Sequence, residues 1–197
     1  MPVGSIQNTL DVLQTNYSST LIDVLTSVIS QEMMNNTEQM PTSQFAGIIQ
    51  STVNLLSAEL DKERTGTGTL NPQIINSCVS NFEKLTQNPT YITQDSAQSV
   101  VRSIEHIVDA VIGDSNRTLK LEGRYQQIAS TVSNVYLSVN NRSQSDGGLK
   151  KQIFNVLDQL SSIVMTESVV GAPETIITTT LVDIVIKGHH AEQIAGA

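Results

Sequence analysis

Few residues in this chain have the type and spacing to do chemistry. His189 and His190 are adjacent, with Asp183 and Glu192 as the nearest carboxylates. Two imidazoles and two carboxylates can hold a metal only if they converge, and adjacent positions point their side chains apart. A solvated turn is the reading favoured here. His106 falls beside an apolar helical stripe and reads as a boundary or surface residue. Glu105 and Asp109 are four apart and share a helix face, with Arg102 one turn before, which reads as a solvated, ion-paired face. The single cysteine, Cys78, lies among Ile74, Ile75, Val79 and Phe82 and reads as a small buried hydrophobe. Gly66 and Gly68 lack the preceding strand and the Lys-Ser/Thr pair of a phosphate loop. No serine lies in a nucleophile-elbow pattern. No catalytic, cofactor-binding or metal-ligating set is therefore assigned. Four Asn-x-Ser/Thr sequons, at Asn16, Asn35, Asn116 and Asn141, are possible N-glycosylation sites.

The elements that must carry these residues are helical. The stretch 93–113 is the clearest. Ala97, Val100, Ile104, Ile107, Val108 and Val111 recur at steps of three and four, which places them on one face of a helix. Thr93 fits the N-cap, Asp95 the first turn, and Gly113 the residue after the helix. Before it, 5–34 reads as one long helix or two collinear ones, with Ile6, Leu10, Leu13, Tyr17, Leu21, Val24 and Val28 as its stripe. A bend is expected in the polar patch 16–20. A polar loop over 33–41 leads to a helix that begins at Thr42 and carries Phe45, Ile48, Ile49, Val53, Leu56 and Leu60. The stretch 61–69 reads as an exposed loop. Asn71-Pro72 starts a helix that runs to about Leu85, followed by a turn. Two more helices are expected: 115–139, with Leu121, Tyr125, Ile128, Val132, Val135 and Val139 inward, and 149–165, with Leu149, Ile153, Val156, Leu157, Leu160 and Ile163 inward.

The period then changes. After Gly171-Ala172-Pro173, β-branched residues dominate over 175–187, and Val182, Ile184 and Ile186 alternate with Asp183 and Lys187. One strand cannot stand alone, so the expectation is that it pairs with later sequence or another chain. The predicted class is mainly α: a bundle of about six antiparallel helices over 5–168, one C-terminal β-strand over 174–188, and a polar tail over 189–197. No fixed-period repeat is visible, which favours a compact bundle over a solenoid.

The chain has 197 residues, 39% of them hydrophobic and 4% aromatic, with no tryptophan, so Leu, Ile and Val must fill the core. Net charge is −8 and only 15% of residues are charged. Lys150-Lys151 and Arg117 with Lys120 are too small a basic patch for nucleic-acid binding. No apolar run approaches the ~20 residues of a spanning helix, and no signal peptide is visible.

The terminal sequence PETIITTTLVDIVIKGHHAEQIAGA, following a set of helices, resembles the GAIN domain of adhesion receptors and polycystin-1-like proteins. In that family a helical subdomain leads into the first strand of a β-sandwich. Ile176, Leu181, Val182, Ile184, Ile186 and Lys187 stand where its strand has Thr/Ile residues, alternating aliphatics and a base. The segment SVVRSIEHIVDAVI, 99–112, is similar to its recurring Val/Ile helix. The chain departs from the family in lacking tryptophan. It also lacks the His-Leu-Ser/Thr cleavage motif, because His190 is followed by Ala191 and Glu192, so self-cleavage is not implied. The resemblance implies a non-enzymatic extracellular or cell-surface module. Its partner would be a β-sandwich that completes 174–188, or a membrane channel or receptor subunit. The competing expectation is an intracellular or bacterial helical scaffold or filament subunit.

Overall fold

The computed structural model describes residues 3–35, 41–67, 70–114, 119–121, 123–140, 147–167, 175–181 and 183–186. Among these the chain forms seven α-helices: α1 Val3–Thr15, α2 Ser19–Asn35, α3 Thr42–Thr67, α4 Pro72–Thr86, α5 Gln94–Gly113, α6 Tyr125–Asn140 and α7 Gly147–Glu167. Two short strands follow, β1 Thr175–Thr178 and β2 Asp183–Ile186. The chain is mainly helical, as its periodicity predicts.

Local sequence sets the helix starts. Asn71 Oδ1 accepts from the Gln73 N–H at 2.8 Å, with Pro72 in the first turn where no N–H is needed. Thr93 Oγ1 accepts from the Ser96 N–H at 3.0 Å. The stripes of α3, α4, α5 and α7 are buried at every residue named from the α3, α5 and α7 patterns, and at Ile75, Cys78, Val79 and Phe82 of α4.

Side-chain contacts between helices order the bundle into two layers. Asp23 meets Ser77, Ser27 meets Lys84 and Ser30 meets Gln87, so α2 and α4 run the same way. Gln50 meets Thr93 and Ser96, Ser57 meets Ser103 and Asp61 meets His106, so α3 and α5 also run the same way. Asn76 with Arg124 and Glu83 with Gln127 align α6 with α4. Tyr125 with Glu167, Tyr136 with Phe154 and Asn140 with Lys150 make α7 antiparallel to α6. Consecutive helices therefore reverse, and every second helix packs side by side: α1, α3, α5 and α7 in one layer, α2, α4 and α6 in the other. One continuous apolar core lies between the layers, with Phe45 and Phe82 as its largest fully buried side chains.

Several expectations need correction. The stretch 5–34 is two helices, as one of the two expectations had it, and it breaks at 16–18 inside the expected bend; but the two lie in different layers instead of running collinear, and the break resets the phase. α2 buries Ile22, Leu25, Ile29 and Met33, while Val24 is exposed and Leu21 and Val28 only border the core. The expected loop 61–69 is helical through Thr67. Its ion pairs one turn apart (Glu59–Lys62 and Asp61–Arg64) and the Thr65 hydroxyl on the Asp61 carbonyl continue the helix past its last core residue, Leu60. α6 begins at Tyr125 rather than Ser115. Leu119 to Leu121 are not helical, and Gly123 takes a positive φ of 74°, which an L-residue disfavours. Gly113 is the last residue of α5, not the residue after it; Asp114 is the cap.

The C-terminal β segment lies where alternation places it, but it does not wait for an outside partner. It folds on itself, pairing Thr175 with Ile186, Ile176 with Val185, Ile177 with Ile184 and Thr178 with Asp183 in an antiparallel hairpin. Thr179 Oγ1 accepts from the Leu181 N–H inside the connection, a local bond that favours the reversal.

Candidate functional site

The fold places the residues singled out from sequence in different surroundings. Cys78 on α4 is fully buried. Burial first, then the Glu59 and Asp23 carboxylates, push its thiol up to about 12, so it is an inert core group at neutral pH. Asp109 accepts from Gln159 on α7 at 3.0 Å, so this carboxylate ties α5 to α7 as well as facing solvent. Gly66 is a helical residue of α3. His189, His190, Glu192 and Gly68 lie outside the described residues, and of Asp183 only the backbone is described. No group of three or more His, Cys, Asp or Glu able to hold a metal occurs among the described residues. No described helix is long and apolar enough to cross a membrane.

Of the four sequons, Asn16 is exposed in the break between α1 and α2, and Asn35 is exposed at the last residue of α2. Both stand at helix ends, where a glycan meets solvent and not the core. Asn116 and Asn141 lie outside the described residues.

His106 is brought to a site that its sequence neighbourhood does not reveal. Because α3 continues past Leu60, Asp61 faces α5, and its Oδ1 lies 3.3 Å from His106 Nδ1. The pair lines a groove of about 570 Å³ between α3, α5 and the start of α7, together with Asp95, Gln98, Ser99 and Arg102. Beneath it the Ser103 hydroxyl donates to Ser57 at 2.9 Å. A carboxylate beside one ring nitrogen orients the imidazole toward the groove's lining. The groove is polar and open, suited to polar, hydrogen-bonding ligands. The sequence does not reveal it, because the charged, Gly/Thr-rich stretch 61–69 reads as a loop. The available signal is that Asp61 sits four residues, one helical turn, beyond Ser57 in unbroken helical phase.

The hairpin is the second feature. Ile177 is 2% exposed and enters the bundle core, whereas the cross-strand pair Ile176 and Val185 is 58% and 49% exposed on the opposite face. Alternation along each strand produces this split. β1 rests on α6 and β2 on α7. Gln126 of α6 clamps the end of β1: its Nε2 donates to the Thr178 carbonyl at 2.8 Å and its Oε1 accepts from the Thr178 N–H at 3.1 Å. One side-chain amide thus makes both bonds that a neighbouring strand residue would make. Gln126 could not be found from sequence, because it is one of many exposed glutamines and its role depends on where the hairpin lands.

No protein family, curated protein or solved structure matches this chain.

Proposed function

We propose that the chain is a non-enzymatic interaction module of a receptor-like extracellular protein, of the kind the GAIN resemblance implies. In it the two-layer helical bundle acts as a spacer that presents the C-terminal hairpin to a β-rich partner. The observation that carries this reading is the hairpin: it is anchored through Ile177 and Gln126, yet keeps Ile176 and Val185 turned outward. A two-stranded sheet is marginal by itself and gains from added strands or a facing sheet. Exposure of Asn16 and Asn35 supports the extracellular placement.

The test is peptide mass spectrometry of protein purified from its native source, scored for glycans at Asn16 and Asn35 and at the sequons Asn116 and Asn141. Occupied sites are expected. Bare asparagines, in a source whose other secreted proteins carry glycans, refute the extracellular reading.

A second reading is favoured by a different observation. Packing of every second helix side by side is how helical scaffold arrays stack, and it supports an intracellular or bacterial scaffold or filament subunit. That reading requires a mass in light scattering that rises with concentration in reducing buffer.

A further inference from the structure

The second layer carries an open groove of about 740 Å³ between α2 and α4, with Arg124, in the turn just before α6, reaching into it. Two half-buried cations line it, Lys84 and Arg124. Neither is matched to a carboxylate among the described residues. Lys84 Nζ donates to Ser27 Oγ at 3.1 Å. Arg124 donates through Nε to Asn76 at 3.2 Å and through Nη1 to Gln127 at 2.7 Å. In a chain with 19 acidic and 11 basic residues, two cations on one groove held only by neutral oxygens are a departure from what composition favours. The acceptors fix the side chains without cancelling their charge. Asp23 lies between them, and its Oδ1 is already occupied by donors from Ser77 at 2.8 Å and Asn81 at 2.6 Å.

The spacing narrows the guest. Arg124 is held at Asn76, and Lys84 is eight residues further along α4. At 1.5 Å per residue that is about 12 Å, too far for one carboxylate or phosphate to reach both. An extended peptide advances about 3.3 Å per residue, so acidic side chains three or four residues apart span the same distance. Asp23 opposes a third acidic group between them. We infer that this groove binds an extended acidic peptide segment, one carboxylate at Arg124 and one at Lys84, with uncharged residues between. The site is on the layer of α2, α4 and α6, so its failure would leave the hairpin reading untouched.

The experiment uses the full chain and a fluorescein-labelled peptide with two glutamates separated by three Gly/Ser residues, read by fluorescence anisotropy. The glutamine counterpart is the control, and inorganic phosphate is the competitor. The expected result is saturable binding that is lost in the glutamine peptide. Lys84→Gln and Arg124→Gln should each weaken it about three- to fivefold, the scale of a partly exposed ion pair. Raising salt from about 20 to about 300 mM should weaken binding to the unmutated chain, which reads charge dependence even if a variant folds poorly. Equal binding of the glutamine peptide, unchanged affinity in both variants, or full displacement by phosphate at the peptide's own concentration would overturn the inference. The last outcome would mark a point-anion site.

Discussion

Asn81 on α4 is fully buried, and its amide is the junction of the contact between α2 and α4. Its Nδ2 donates to Asp23 Oδ1 at 2.6 Å and to Ser77 Oγ at 3.2 Å, and its Oδ1 accepts from the Thr26 hydroxyl. Asn81→Ala removes all three bonds. Thr26 keeps an alternative acceptor in the Ile22 carbonyl at 3.0 Å, so its loss is small. Asp23 is left with Ser77 alone, and losing a hydrogen bond to a charged acceptor costs about 1.5–3 kcal/mol. The missing amide adds a cavity term of under about 1 kcal/mol. Because Asp23 is half exposed and water can replace part of the bond, about 2–3 kcal/mol is expected. That corresponds to a fall in Tm of about 4–12 °C for a chain of this size. Asn81→Asp sharpens the test. It sets a second carboxyl against Asp23, and like charges in a buried site raise the introduced group's pKa above its unfolded value of about 3.9. The folded state then binds more protons than the unfolded state, so stability must fall as pH rises and return on acidification. Urea unfolding followed by circular dichroism at about pH 5 and about pH 7.5 reads both effects. A cost for Asn81→Ala below about 0.5 kcal/mol would refute the claim that this network holds the two helices together. So would an Asn81→Asp penalty that does not change between the two pH values.

Three further predictions rest on separate features. Gln126→Ala should release the hairpin and raise amide hydrogen exchange over 175–186 about 5- to 30-fold, from two exposed bonds of about 0.5–1 kcal/mol each, with α3 to α5 unchanged. Gly123→Ala should destabilise by about 1–2 kcal/mol from its φ of 74° alone, since a Cβ there meets no atom within 4 Å, whereas Gly47→Ala in the exposed interior of α3 should stabilise by about 0.5–1 kcal/mol; thermal melts compare the pair. Cys78 should react with a thiol reagent at about pH 8 only as fast as the chain unfolds. With its folded pKa raised to about 12, the stability from the neutral thiol is complete below the unfolded value of about 8.5 and declines as pH rises above it.

Much of the layer-forming surface was legible in the sequence because a helix in a dry core must repeat its apolar residues at its own period. Ala97, Val100, Ile104, Ile107, Val108 and Val111 obey that rule and are buried, as are Leu149, Ile153, Val156, Leu157, Leu160 and Ile163. The rule fails where phase is carried across a break. Ile6, Leu10 and Leu13 are buried as expected, but extending the same steps past 16–18 selects Leu21, Val24 and Val28 over Ile22, Leu25 and Ile29, because three non-helical residues do not preserve helical rotation. It fails again where a helix persists without apolar residues, as α3 does from Asp61 to Thr67 on ion pairs and a threonine back-bond. The hairpin was legible as β but not as a hairpin, because a Thr-rich connection without glycine gives only a weak reversal signal. Asp61–His106 and Asp23–Asn81 join residues 45 or more positions apart, and no local pattern announces them.

Those long-range polar pairs bear on why the helices stack in one order. The core is almost wholly Leu, Ile and Val, and such stripes are nearly interchangeable as partners: any one of them would bury comparable area against any other. Polar contacts are not interchangeable. Asp23 with Ser77 and Asn81, and Ser30 with Gln87, fit only if α2 lies on α4 in one direction and at one height. Gln50 with Thr93 and Ser96, Ser57 with Ser103, and Asp61 with His106 do the same for α3 on α5. Sliding either pair by one turn would leave partly buried oxygens and amides without partners, at about 1–3 kcal/mol each, while the apolar contact would hardly change. The aliphatic stripes thus drive the helices together, and the polar pairs within each layer choose which helices meet, in which direction and in what register.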